Sequence, residues 1–141
     1  MDLSRFIEEQ EQQYKVALSE IKSGRKESHW MWFIFPQIAR LGFSDVSKFY
    51  AIKNLTEAKA YLKHELLGMR LKEISTVLLL QNTANATLVF GSPDDLKLHS
   101  CMTLFAIADE ENSDSVFEKV IAKFFKGKYD RRTEEILEEQ Q

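Results

Sequence analysis

Apolar residues near the N-terminus recur at intervals of three and four positions. They are Leu3, Phe6, Ile7, Tyr14, Ala17, Leu18 and Ile21, with glutamates, glutamines and lysines between them. This spacing predicts an amphipathic helix of about five turns, with Gln10 and Gln13 on its exposed surface. Gly24 is placed to end the helix, and Lys22 lies in the last turn, where a cation suits the helix dipole.

A dense apolar segment follows this helix. It comprises Trp30, Met31, Trp32, Phe33, Ile34 and Phe35, and polar residues flank it: Lys26, Ser28 and His29 on one side and Gln37 on the other. A run this rich in aromatic residues cannot lie on an exposed face, so it either crosses the core or lines a pocket. We expect a short buried helix or an extended core segment over residues 29–34, then a turn at Pro36-Gln37.

Capping residues and apolar stripes divide the rest of the chain into further helices. We predict a helix opened by Ser44-Asp45 that ends at Tyr50, one capped by Thr56 that ends at Leu62, a longer one from Leu66 to Gln81, a short one over Ala86–Phe90 ended by Gly91, one from Ser92 to Ala108, one from Ser115 to Gly127, and one from Asp130 to Leu137. Ala86–Phe90 also has β character, but a single strand would have nothing to pair with. Ser92 is the expected cap of its helix, with Pro93 at the first helical position.

These elements predict an all-α fold, a single compact domain over residues 1–141 with about seven helices around an aromatic core. In the long helix, Leu67, Leu71, Ile74 and Leu78 form the inward stripe, and Gly68 indicates the close approach of a neighbouring helix. We expect Asp109 to Asp114 to be an acidic surface loop and residues 137–141 to be a frayed tail.

Composition and charge narrow the functional classes. The net charge of −3 argues weakly against a general nucleic-acid binder, since phosphate neutralisation requires a basic surface. No apolar run reaches the length of a membrane span, and the single cysteine, Cys101, is typical of a small buried residue in a reducing compartment. The sequence therefore predicts a cytoplasmic protein without a membrane segment.

No strong catalytic motif is present. His29, His64 and His99 are far apart in the sequence, and the chain has no cysteine pair with zinc spacing, so we expect neither a metal site nor a cofactor. One group of residues still indicates chemistry, namely Lys26, His29, Trp30, Trp32 and Gln37. A histidine beside tryptophans suits acid–base chemistry or stacking on a flat ligand. Alternatively, the histidine is a core residue bonded to a backbone carbonyl, and the tryptophans are only packing.

A second polar group lies at the start of the helix after Ser92. Asp94 and Asp95 are followed by Lys97, Ser100 and Thr103, which form a polar strip beside the apolar face. The free N–H groups at the helix start could bind an anion. The alternative is a well-capped amphipathic helix in which Lys97 pairs with a carboxylate.

Several long motifs resemble a known family. They are Arg25-Lys26, Ser28 to Gln37 (SHWMWFIFPQ), Phe90 to Leu98 (FGSPDDLKL), Ser100 to Phe105 (SCMTLF), and the closing pattern of Phe124-Phe125, Gly127, Asp130 and Thr133. Together they closely resemble the small family labelled domain of unknown function, number eighteen-ten, some members of which carry the label calpastatin. The resemblance covers nearly the whole chain. It implies a compact all-helical domain and no established activity.

A fainter likeness connects the chain to helical N-glycosidases and ADP-ribose-handling domains, a group that includes enzymes of riboflavin-intermediate breakdown. The residues concerned are Tyr61-Leu62, His64, Leu67, Leu88-Val89, Ser92-Pro93 and Asp95. The chain departs from that pattern at Phe90-Gly91, where an acidic residue is expected. No catalytic residue is therefore transferred from this likeness.

The leading hypothesis is a pocket that binds a flat anionic metabolite, such as a nucleotide or an ADP-ribose-like group. The predicted ligand-binding residues are Lys26, Trp30, Trp32, Gln37, Lys97 and Ser100. If the protein is an enzyme, we expect metal-independent hydrolysis of an N-glycosidic bond, with His29 or Asp95 acting on a water molecule. The alternative is a non-enzymatic interaction module in which the aromatic segment is core and the acidic loop or the basic C-terminal cluster meets a protein partner.

Overall fold

The computed structural model describes residues 1–112 and 114–141, and within them the chain forms nine α-helices and no β-strand. The helices are α1 (Ser4–Lys22), α2 (Met31–Ile34), α3 (Asp45–Tyr50), α4 (Leu55–Lys63), α5 (Glu65–Leu79), α6 (Ala86–Phe90), α7 (Asp94–Ala108), α8 (Val116–Phe124) and α9 (Arg131–Glu139). The prediction of a single compact all-α domain is confirmed. The expected number of about seven helices is too low. The segment within residues 29–34 is helical and not extended, and the short predicted helix α6 also forms, so both add to the longer helices. The predicted acidic loop Asp109–Asp114 includes Ser113, which lies outside the described residues.

Side-chain caps set most of the helix starts. Ser44, Ser115 and Asp130 cap α3, α8 and α9 as predicted, and each accepts the backbone N–H three residues ahead. The predicted cap of α4 is wrong. Asn54, not Thr56, is the N-cap of α4, and its Oδ1 accepts the backbone N–H of Glu57 at 2.9 Å. Both residue types can cap a helix, and Asn54 comes first along the chain.

The start of α7 differs from the prediction. The helix begins at Asp94, Pro93 occupies the N-cap position, and no side chain caps it. A cap at Ser92 would accept the backbone N–H of Asp95, three residues ahead. That N–H instead donates to the carbonyl of Gly91 at 2.9 Å. The backbone therefore satisfies the group for which a Ser92 cap was predicted.

The helix ends are partly as expected. Gly24 follows α1 and Gly91 follows α6, both with positive φ, as predicted. The last helical residue of α8 is Phe124, and Gly127 instead closes the turn beyond it, with its N–H 3.0 Å from the carbonyl of Ile121. Helix α9 continues through Glu139, so part of the expected tail is helical.

Helix α7 is the centre of the fold. Nine of its fifteen residues are buried, and it contacts α4, α6, α8 and α9. Helix α5 contacts α1, α4 and α8, and its predicted inward stripe of Leu67, Leu71, Ile74 and Leu78 is buried. Among the described helices, none combines the length and the apolar character that a membrane span requires.

The position of Gln10 also differs from the sequence prediction. Its side chain was expected at the surface, but it is only 2% exposed. Its Nε2 donates to the Phe33 carbonyl at 2.8 Å and to the Tyr61 hydroxyl at 2.9 Å. Gln10 therefore ties α1 to the aromatic segment and to α4, and these two bonds satisfy an amide that burial would otherwise destabilise.

The loop after the aromatic segment is fixed by a short backbone bridge. The N–H of Ala39 donates to the carbonyl of Ile52 at 2.8 Å, and the N–H of Ile52 donates to the carbonyl of Gln37 at 2.8 Å. Ile38 and Ile52 lie at the centre of this bridge and are buried. The bridge holds the residues between them, including α3, against the end of the aromatic segment.

Candidate functional site

Three charged side chains converge where the aromatic segment meets the start of α7. Lys26 Nζ lies 3.0 Å from one carboxylate oxygen of Asp94, and Lys97 Nζ lies 3.3 Å from the other. Each ammonium also lies over an indole, with Lys26 4.9 Å from the ring centroid of Trp30 and Lys97 5.2 Å from that of Trp32. The structure thus brings four predicted binding residues together. It also shows the alternative that the sequence left open, in which Lys97 pairs with a carboxylate.

The Glu20 carboxylate anchors the segment that leads into this cluster. One of its oxygens accepts the backbone N–H groups of Glu27 at 2.8 Å and Ser28 at 2.9 Å, and also the indole N–H of Trp30 at 2.9 Å. The other accepts the Ser28 hydroxyl at 2.5 Å. Burial alone would raise the pKa of Glu20, but these hydrogen bonds outweigh it and lower the pKa to about 2. Glu20 is therefore ionised at neutral pH and fixes the course of the chain before the aromatic run.

The two tryptophans differ in their access to solvent. Trp30 is 0% exposed, its indole N–H is bonded to Glu20, and its ring packs against Phe35 and Phe90. Trp32 is partly exposed. A ligand could therefore contact Trp32 without any rearrangement of the core, whereas Trp30 acts as packing.

A concave pocket of about 150 Å³ opens beside Trp32. It lies between the end of the aromatic segment, the bridged loop and α3. Its polar and aromatic lining consists of Trp32, Gln37, Arg40, Ser47, Lys48 and Tyr50, and small or aliphatic residues complete it. Among the described lining residues two, Arg40 and Lys48, are cationic and none is acidic. Arg40 also lies 2.6 Å from the carboxylate of Glu139, which is outside this lining. We call it the Trp32 pocket.

Tyr50 forms a rigid part of the wall of the Trp32 pocket. Its ring centroid lies 5.3 Å from that of Phe33 and 6.1 Å from that of Phe6. Burial, together with the nearby carboxylate of Glu9, raises the pKa of Tyr50. The phenol therefore stays protonated at neutral pH.

Arg40 has an uncommon backbone conformation at the mouth of this pocket. Its φ is 82°, in the left-handed region that residues with a side chain seldom adopt. Such conformations persist where the surrounding structure holds them, and they cluster at binding sites. The backbone bridge beside Arg40 is the element that holds this turn in place.

The remaining predicted site residues do not line the Trp32 pocket. His29 is exposed on the turn before the aromatic segment. Asp95 accepts the Thr87 hydroxyl at 2.7 Å. Ser100 is 5% exposed, and its Oγ lies 3.2 Å from both the Leu96 carbonyl and a carboxylate oxygen of Asp130. Ser100 therefore joins α7 to the start of α9.

Metal-binding side chains are scattered in this fold. No group of three or more His, Cys, Asp or Glu residues within 1–112 and 114–141 is arranged to hold a metal ion. Cys101 is buried, as its pattern predicts, and burial raises the pKa of its thiol well above the usual value. The thiol is therefore protonated and unreactive at neutral pH.

Sequence reasoning missed Glu20, Arg40, Lys48 and Tyr50. The last three lie on or beside a short helix that the sequence did predict, but their types and spacing are those of ordinary surface residues. One feature of the sequence did point to this region. A turn was predicted at Pro36-Gln37, and Gln37 lines the pocket.

Comparisons with known proteins place the chain in a family. Residues 1–137 match the family described as Protein of unknown function (DUF1810). The chain belongs to this family. The family resemblance seen in the aromatic and helix-start motifs is thereby confirmed. No curated protein gives a significant match.

A solved structure is similar to this chain over nearly its full length. A conserved hypothetical protein from Mycobacterium tuberculosis is 44% identical to this chain, and the match covers 97% of this chain and 96% of that one with a TM-score of 0.93. The two proteins therefore share one fold over nearly their full lengths. Neither match carries the calpastatin label. Neither names a glycosidase, so the likeness to N-glycosidases stays a prediction.

Proposed function

We propose that this DUF1810 protein binds a flat anionic small molecule, such as a nucleotide or an ADP-ribose-like group, in the Trp32 pocket. The observation that carries the proposal is the lining, in which a partly open indole lies together with two cations, and none of the described lining residues is acidic. An indole provides a stacking surface for a flat ring, and cations bind phosphate or carboxylate groups.

The pocket volume suggests how such a ligand would lie. Drug-sized ligands occupy pockets of roughly 300–1,000 Å³, and the Trp32 pocket has about 150 Å³. It therefore has room for one flat ring and not for a whole nucleotide. The ring would stack on Trp32 beside the Gln37 amide, and the anionic part would lie at the mouth on Arg40 and Lys48.

The proposal is binding without hydrolysis. A general acid or base must come within hydrogen-bond reach of the reacting group, and among the described lining residues none has a carboxylate or an imidazole. Tyr50 is a protonated phenol. Catalysis by His29 or Asp95 stays a prediction from the sequence, and neither residue lines this pocket.

A panel of matched ligands tests the proposal. AMP, ADP, ADP-ribose and flavin mononucleotide combine a flat ring with an anion, adenosine lacks the anion, and ribose 5-phosphate lacks the ring. A ligand at a hundred times its dissociation constant adds about 2.7 kcal/mol to the free energy of unfolding, which a thermal-shift measurement detects. We expect the four compounds that have both a ring and an anion to stabilise the protein. Adenosine and ribose 5-phosphate should stabilise it much less.

Variants then locate the site by calorimetric titration. Trp32→Ala and Lys48→Ala should each weaken binding by about tenfold or more, the equivalent of one good contact. Lys15→Ala, which removes an exposed lysine from α1, is the matched control and should bind as the wild type does. The proposal fails if no compound stabilises the protein, or if the Trp32 and Lys48 variants bind as well as the wild type.

A further inference from the structure

Three large apolar side chains are exposed together around α3. Phe43 is 85% exposed, Val46 is 45% exposed and Phe49 is 60% exposed. Val46 and Phe49 are one helical turn apart on α3, and Phe43 lies just before the helix. Single exposed apolar residues are ordinary, but neighbouring exposed apolar residues with polar residues around them are a feature of interaction sites. We call these three residues the α3 patch.

Three cations lie beside Phe43, the first residue of the α3 patch. Phe43 shares a surface concavity of about 500 Å³ with the cations Arg40, Lys48 and Arg132, and no acidic residue is among its described lining. The three cations come from the bridged loop, α3 and α9. We call them the basic rim.

The chain already places one carboxylate on this rim. Glu139, at the end of α9, has one carboxylate oxygen 2.6 Å from Arg40 and the other 4.0 Å from Arg132. All three of these side chains are about half exposed. Two cations of the rim therefore already bind a carboxylate, and Glu139 shows that this group fits between them.

We propose that the α3 patch and the basic rim together dock an acidic amphipathic helix of another protein. Apolar residues on one face of that helix would cover the α3 patch, and aspartates or glutamates at its edge would meet the basic rim. The whole chain has a net charge of −3, so it repels an acidic segment except where the local charge is positive. Charge therefore directs such a partner to this surface.

The inference goes beyond the proposed function but shares two residues with it. Arg40 and Lys48 belong to the basic rim and also lie at the mouth of the Trp32 pocket. A bound helix would cover that mouth, so an anionic ligand and the partner compete. Trp32 is not part of the docking surface, which allows the two proposals to be separated.

A displayed library of random peptides of about 16 residues, roughly four helical turns, tests the docking proposal without assuming a partner sequence. Selection on the wild-type protein should enrich peptides with negative charge and with apolar residues spaced three and four apart. The best peptide should bind the Phe43→Ser, Phe49→Ser double variant at least about tenfold more weakly, as expected for loss of apolar anchors. Its affinity should also fall with added salt.

Matched variants complete the test. Arg132→Glu should weaken binding, and Glu139→Gln should strengthen it by removing the competing carboxylate. Leu80→Ser, at an equally exposed apolar residue at the end of α5, should have no effect, because Leu80 is 74% exposed but has no part in this surface. Trp32→Ala should weaken ligand binding by about tenfold or more and leave peptide affinity unchanged, so failure of either proposal is visible by itself.

Four results would overturn the docking proposal. They are an absence of enriched peptides, enrichment without the acidic and apolar pattern, peptide affinity that survives the Phe43→Ser, Phe49→Ser change, and self-association or nucleic-acid binding that the same change abolishes. In the last case the surface is an interface for a second copy or for nucleic acid, as sedimentation or a filter-binding measurement would show.

Discussion

Glu20 and Gln10 are the residues on which the position of the aromatic segment depends. Both lie in α1 and bond groups far along the chain, since Glu20 reaches Trp30 and Gln10 reaches Phe33 and Tyr61. No local pattern reveals Glu20, because its partners come to it only through the turn after the helix. The burial of Gln10, by contrast, could have been predicted from the sequence. This residue falls at the spacing of the apolar stripe between Phe6 and Tyr14, and a polar residue in such a position indicates a buried hydrogen bond.

We expect Glu20→Ala to destabilise the protein by about 1–3 kcal/mol, because it leaves the buried indole N–H of Trp30 without an acceptor. The loss should depend on pH. The folded-state pKa of Glu20 is about 2 against a usual value of 4.5, so ionised Glu20 stabilises the native state above about pH 4.5, and this contribution disappears as the pH falls towards 2. Urea unfolding at several pH values measures it. Glu8→Ala, at an exposed position of the same helix, should cost little, and an equal loss in both variants would refute the role of Glu20.

Gln10→Leu should cost about 1–3 kcal/mol although it adds an apolar side chain to the core, since two polar partners lose their hydrogen bond. Gln12→Leu makes the same change on the exposed face of α1 and should leave the free energy of unfolding within about 0.5 kcal/mol of wild type. Chemical denaturation of both variants gives the comparison. A stabilising effect of Gln10→Leu would contradict the bonds assigned to this side chain.

At the scale of elements, the sequence predicts most helices because each carries its own local signal. Ser44, Ser115 and Asp130 cap their helices as expected, and Gly91 ends α6. The errors occur where two local signals compete. Ser92 is a good cap by type, but the Gly91 carbonyl already accepts the N–H of Asp95, and no rule that considers side chains alone detects this.

Gly68 provides a prediction for the contact between α4 and α5. A Cβ at this position would lie 2.0 Å from the carbonyl oxygen of Leu62 in α4. The close approach of a neighbouring helix that the sequence predicted at Gly68 is thus present. Gly68→Ala should therefore cost about 1–3 kcal/mol or more through displacement of the backbone. Gly127→Ala is a control in which strain has a different cause. Within residues 1–112 and 114–141 no atom lies within 4 Å of the added Cβ, but Gly127 has a φ of +74°. The substitution should cost about 1–2 kcal/mol. Thermal unfolding compares them, and a Gly68→Ala variant as stable as wild type would rule out the close contact.

At the scale of the whole molecule, the candidate site depends on contacts that no local pattern encodes. The sequence identified the residues that surround Asp94 but did not predict that Trp30 would be buried and Trp32 left partly open. The Trp32 pocket exists because the bridge between Ile38 and Ile52 folds α3 back onto the aromatic segment. Arg40 and Lys48 have the sequence character of solvated charges, and only this fold brings them beside an indole.

The central claim is that a flat anionic ligand binds beside Trp32 and not beside Trp30. Fluorine NMR of the protein labelled with 5-fluorotryptophan tests it most directly, because the chain has two tryptophans and Trp32→Phe assigns their signals. Titration with AMP or ADP-ribose should shift the Trp32 resonance progressively to saturation and leave the buried Trp30 resonance nearly unchanged. If neither resonance moves with any ligand of the panel, or if only the Trp30 resonance does, the Trp32 pocket is not the binding site.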